Sequence, residues 1–137
     1  MPYSLTMLKT AAECDAVLKQ TQARLRELNH QAYLLGHERQ EAEEKATDVQ
    51  VALIGVEADI AGYHSKRDVL PDDSVAHDKN EARLRDSINR RAQLTDRQAA
   101  RGSVALLVHE LKLSQVQVQI TEVTTLATAV TAHKATL

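Results

Sequence analysis

The sequence contains no tryptophan and no phenylalanine, and its only aromatic side chains are Tyr3, Tyr33 and Tyr63. Compact globular cores draw much of their buried area from large rings. A chain with 43% hydrophobic but only 2% aromatic residues must instead bury Leu, Val, Ile and Ala along a narrow seam. Four glycines and two prolines leave few turn sites, which argues against a many-stranded β fold. Cys14 is the only cysteine, so neither an intrachain disulfide nor a multi-cysteine zinc site can form. Neither sign of charge dominates. A formal net charge of −2 and a pI near 6.3 point to neither a polyanion binder nor an acidic tail. The longest unbroken apolar run, VALLV at 104–108, is far short of a membrane span. No basic stretch followed by an apolar one opens the chain, so no signal peptide is expected. The expectation is one cytoplasmic domain with no membrane segment.

What the sequence does contain is a repeat. From Met7 to Tyr63 apolar residues recur at alternating spacings of three and four. Ala11, Leu18, Leu25, Ala32, Ala46, Leu53 and Ile60 fall at heptad position a, with Arg39 the exception. Met7, Cys14, Leu28, Leu35, Ala42, Val49, Val56 and Tyr63 fall at d, with Thr21 the exception. A 3.5-residue period sustained over about eight heptads is a coiled-coil seam.

The pattern fades through HSKRDVLPDDSVAHDKN, and Pro71 cannot continue a helix. Asp72, Asp73 and Ser74 offer N-cap side chains for a new one, with Asn80 a later alternative. The second seam places Ala92, Ala99, Leu106, Leu113, Ile120, Ala127 and Lys134 at a. Its d positions are Ile88, Thr95, Gly102, His109, Val116, Val123, Val130 and Leu137. An antiparallel fold-back requires partner numbers with a constant sum. Leu53 with Ala92, Leu25 with Ile120, Val56 with Ile88 and Leu28 with Val116 all give 144 or 145. The acidic stretch 37–48 then lies beside Arg97 and Arg101, which selects the same register. The predicted fold is an all-α, antiparallel two-helix hairpin forming a single domain over 1–137. Helix one spans about 4–67, the turn about 68–76 and helix two about 77–135. The segment 112–123 alternates like a strand, but no second strand-like segment exists to pair with it, so it is read as helix.

Helix two carries more apolar surface than one seam can hide. Val104, Leu111 and Val118 fall at f, and Leu107 and Val108 widen the patch. On helix one, Tyr33 and Leu34 also point away from the seam. A helix apolar on opposite sides is normally buried on both, and a large exposed apolar patch marks an interaction site. These seven residues are the predicted protein interface. The expected occupant is a second copy, two hairpins closing into a four-helix bundle, or a different helical protein.

Other chemistry finds weaker footing. Glu27 and His30 have the E-x-x-H spacing of ferritin-like carboxylate metal bundles. They fall at c and f, facing solvent, where an ordinary surface pair is the simpler reading. His30 and His37 lie one heptad apart, about 10.5 Å, too far to share an ion. His109 is the one seam histidine. Arginines at 83, 85, 90, 91, 97 and 101 suggest nucleic-acid contacts. Asp78, Glu81, Asp86 and Asp96 interrupt that stripe, and no aromatic is interleaved for base stacking, so nucleic acid is not the expected partner. Cys14 at a d position behaves as a small hydrophobe. There is no nucleophile elbow, phosphate loop or H-E-x-x-H. The sequence therefore points to a non-enzymatic, adaptor- or chaperone-like interaction protein without a cofactor. The metal bundle and a nucleic-acid-binding helical protein are the alternatives.

Overall fold

The computed structural model describes residues 3–137. A short 3-10 turn (Leu5–Met7) precedes three α-helices: α1 (Ala11–Arg67), α2 (Val75–Arg101) and α3 (Ser103–Lys134). No strand occurs among the described residues, and 112–123 is helical. The fold is an all-α helical hairpin. One arm is the single long α1, and the other is α2 followed by α3.

α1 begins seven residues later than the heptad pattern suggests, because Thr10 caps it. The Thr10 hydroxyl accepts the Glu13 backbone N–H at 3.2 Å, and the Glu13 carboxylate accepts the Lys9 N–H at 2.7 Å. This is a capping box displaced by one residue. The 57 residues that follow contain no proline, and His64, Lys66 and Arg67 close the last turn where cations suit the helix dipole. Pro71 ends the run, and Ser74 starts the next helix. Its hydroxyl accepts the His77 N–H at 3.0 Å and donates to the Pro71 carbonyl at 2.7 Å.

The helices pack as two units. The terminal unit combines the chain up to Arg39 with His109–Leu137. Its core holds Cys14, Leu28, Val116 and Val130, with Thr21 buried beside them and bonded to the Leu18 carbonyl at 2.8 Å. The segment before α1 lies along α3. Tyr3 donates its phenol proton to Glu122, and that bond holds the phenol above its ordinary pKa. His133 Nε2 donates to the Leu8 carbonyl at 2.9 Å. Lys134 pairs with Asp15 at 2.6 Å. Glu122 and His133 lie three turns apart on one face of α3, so the segment runs in the same direction as α3 for about 16 Å.

The turn unit is Gln40–Val108. Val56, Ile60, Leu84 and Leu94 form its buried cluster, with Ala52, Leu53 and Tyr63 packed against it. Asn80 is buried and donates across the turn to the Tyr63 carbonyl at 2.9 Å. Glu57 and Arg91 meet at 3.4 Å on the surface, a pair worth at most about 1 kcal/mol. Within each unit the observed pairings lie within about one helical turn of the register the sequence predicts.

Two expectations about the second arm are corrected. It is not one continuous helix, because the backbone is extended at Gly102 (φ −91°, ψ −154°). The seam of α2 is also out of phase with the expected one. Asn80, Leu84 and Leu94 are buried and Ser87 and Arg91 half-buried, whereas Ile88, Ala92, Thr95 and Ala99 are exposed. Ser87, Arg91 and Leu94 each precede the expected Ile88, Ala92 and Thr95 by one residue. Gly102 takes up that residue, and beyond it Leu106, His109, Leu113 and Val116 sit inward as expected. A side chain does not fit at Gly102: a Cβ there would lie 2.3 Å from the Gln98 carbonyl oxygen.

One ion pair makes the turn unit sensitive to acid. Arg67 donates two N–H groups to the two carboxylate oxygens of Glu81, at 2.6 and 2.8 Å. That fork holds the Glu81 carboxyl below its ordinary range, assisted by the nearby charges of His77 and Arg85. A depressed carboxylate stabilises the fold above the unfolded value, about 4.3 for Glu, and loses that contribution as pH falls through the folded value. Melting curves of wild type and Glu81→Gln are therefore expected to differ at pH 6 and to converge toward pH 3. A difference that stays constant over that range would remove the ionised pair as its source.

Candidate interaction surface

The surface is built on α3, a helix whose 32 residues carry only four formal charges: Glu110, Lys112, Glu122 and Lys134. Its inward row in the terminal unit is His109, Leu113, Val116, Ile120, Val123, Ala127 and Val130. The opposite row in that unit is Leu111, Ser114, Val118, Thr121, Thr125, Ala129 and Ala132, with Glu122 beside it as the one formal charge on that side. A surface helix normally segregates its polar residues to the solvent side. α3 does not.

The threonines in and beside this row are less polar than their names suggest. Thr121 donates to the Gln117 carbonyl at 3.1 Å, Thr124 to Ile120 at 2.7 Å, Thr125 to Thr121 at 2.9 Å and Thr128 to Thr124 at 3.0 Å. Each hydroxyl hydrogen is thus directed along its own helix. A shallow groove of about 530 Å³ runs along this side, lined by Ile120, Thr121, Thr124, Thr125, Thr128, Ala129 and Ala132. A second groove, about 580 Å³, separates Leu18, Thr21 and Gln22 of α1 from Thr124, Thr128 and Thr131 of α3.

All seven residues singled out from the sequence are exposed. In the terminal unit these are Tyr33 at 74%, Leu34, Leu111 and Val118 at 66%. In the turn unit they are Val104 at 72%, Leu107 and Val108. The threonine side of α3 escaped the sequence reading, because hydroxyl direction is a property of the folded helix. Its signal was present only as the absence of charge between Glu122 and Lys134.

The remaining candidates occupy ordinary surroundings. Glu27 pairs with Arg24 at 2.9 Å, and His30 is exposed. Among the described residues no three His, Cys, Asp or Glu side chains gather closely enough to hold a metal ion. His109 Nδ1 lies 3.8 Å from the Glu38 carboxylate, and Arg39 reaches out from the seam to Glu110 at 3.3 Å. Cys14 is fully buried. Of the six arginines on α2, Arg83, Arg85, Arg90, Arg97 and Arg101 are exposed, while Arg91 is half-buried and paired with Glu57. No helix among the described residues is long and apolar enough to cross a membrane. No family model, no curated protein and no solved structure matches the chain.

Proposed function

We propose that this chain is a non-enzymatic interaction protein, a helical hairpin that docks a helical partner through the outward side of α3. The partner is a second copy or a different protein of similar form. One observation carries the reading: α3 is largely apolar on the side that packs within the hairpin and carries Glu122 as the one formal charge on the side that does not. A contiguous exposed face of this kind usually marks an interaction site. The open grooves beside it suit a row of side chains from another helix rather than an enclosed small molecule.

The test is a pair of charge insertions, Val104→Glu and Leu111→Glu, at positions whose side chains leave the buried core untouched. Both variants are expected to keep the wild-type melting temperature, since exposed substitutions usually change stability by no more than about 0.5 kcal/mol. Both are expected to lose association, read as a lower mass in light scattering or as a missing band when the chain is used as bait. Wild-type protein that stays monomeric and retains nothing the variants fail to retain would end the proposal.

A further inference from the structure

α2 carries two seams, and the fold uses one of them. The occupied seam is Asn80, Leu84, Ser87, Arg91 and Leu94, in which Ser87 and Arg91 are polar and only half-buried. The unused one is Ile88, Ala92, Thr95 and Ala99, one residue further on, exposed throughout and without charge. Ile88, the only isoleucine of α2, is thereby left 38% exposed.

Near the turn the occupied seam has no rival. A shift of one residue there would bring in Glu81 and Arg85 in place of Asn80 and Leu84. It would also break the Asn80 bond to the Tyr63 carbonyl and the Arg67–Glu81 fork. Further along, the balance evens. Moving from Ser87, Arg91 and Leu94 to Ile88, Ala92 and Thr95 gives up one leucine and the surface pair of Arg91 with Glu57. It gains one isoleucine and frees Arg91 from the seam. Thr95 already donates its hydroxyl proton to the Arg91 carbonyl at 2.8 Å, as buried Thr21 does to Leu18, so it turns inward without an unpaired donor. Beyond Leu94 the occupied seam holds little, since residues 95–101 are all exposed. A segment with few buried side chains moves at low cost.

The surplus residue between the two phases has two places to go. One is Gly102, in extended backbone that leaves no room for a Cβ. The other is the stretch from Leu84 to Ala92, where a local unwinding would absorb it and leave a single helix running through Gly102. We infer that residues 88–101 turn as a unit between the two seams, by about 100°, with Gly102 extended in one position and helical in the other. In the second position Ile88, Ala92, Thr95 and Ala99 face α1, and Arg91 and Leu94 are presented to solvent. The device sets which side of α2 the molecule displays, and it operates whether or not α3 docks a partner.

Thiol labelling in native buffer provides the test. The thiol of Leu94→Cys is reached when the segment turns, whereas that of Leu84→Cys is buried in both positions. The two replacements delete the same side chain, and the fully buried native Cys14 serves as an internal reference in each sample. Leu94→Cys is expected to label at least about tenfold faster than Leu84→Cys. Adding Gly102→Ala, which a continuous helix accepts and the extended backbone does not, should widen that ratio several-fold. Adding Ile88→Asp, which penalises the second position, should bring the ratio close to unity. Equal labelling at 84 and 94 would overturn the inference. So would fast labelling at 94 that survives Ile88→Asp, because fraying of the helix end is indifferent to that substitution.

Discussion

Replacing Leu84 with alanine is expected to lower the unfolding free energy by about 2–5 kcal/mol. Leu84 is only 2% exposed, and it shares the turn-unit core with Val56, Ile60 and Leu94. That cluster is small and contains no aromatic ring apart from the flanking Tyr63. Two helices that meet along one row of side chains have little freedom to close a hole between them, so the cavity cost adds to the lost transfer energy. The same experiment tests the phase of α2. Ile88, which a continuous heptad would bury, is 38% exposed, and Ile88→Ala should cost clearly less than Leu84→Ala. Urea titration of the two variants side by side gives both numbers. Equal losses, or a larger loss at Ile88, would restore the uninterrupted seam and discard the one observed.

Gly102→Ala is expected to cost about 1–3 kcal/mol, the usual range for forcing extra volume into a packed site. The backbone angles at Gly102 are open to any L-residue, so conformational strain is not the reason. Space is. The new methyl carbon would sit 2.3 Å from the Gln98 carbonyl oxygen and 3.0 Å from its Cγ, and the nearer atom is backbone that cannot turn aside. An opposing effect exists, because alanine favours a regular helix over glycine by about 1 kcal/mol. A regular helix through position 102 would, however, carry α2 and α3 in one phase. Either Leu84 and Leu94 or Leu106 and the residues after it would then turn by about 100° away from the seam. The overlap therefore outweighs the propensity gain. Denaturant unfolding with far-UV circular dichroism separates the two terms. A variant that is more helical and also more stable would show that the interruption serves no packing purpose.

These two positions also mark how far the sequence could be read. The hairpin was legible because a single internal proline stands between two long heptad runs, with Ser74 ready to start the second. The inward row of α3 was legible because Leu113, Val116, Ile120, Val123 and Val130 repeat without interruption. Extending that row backward through Gly102 failed. A glycine at a d position looks like a small core residue, and nothing in the letters distinguishes it from a break. α2 offered little to correct the error, since its true seam mixes Leu84 and Leu94 with Asn80, Ser87 and Arg91. The start of α1 is a different case. Thr10 and Glu13 have the T-x-x-E spacing of a capping box, and attention to it would have moved the boundary from residue 4 to residue 11. At the surface, Tyr33, Leu34 and the apolar positions of α3 were found because they break the heptad rule.

The threonine ladder of α3 has a consequence for what covers that helix. Water beside Thr121, Thr124, Thr125 and Thr128 finds hydroxyls whose protons are already engaged with Gln117, Ile120, Thr121 and Thr124. Drying this side therefore breaks fewer strong water contacts than four free hydroxyls would require. Yet each hydroxyl oxygen keeps a spare lone pair with which water can bond. For the docking role proposed above, such a face would shed its hydration at low cost when a partner arrives, which suits exchangeable complexes better than permanent ones.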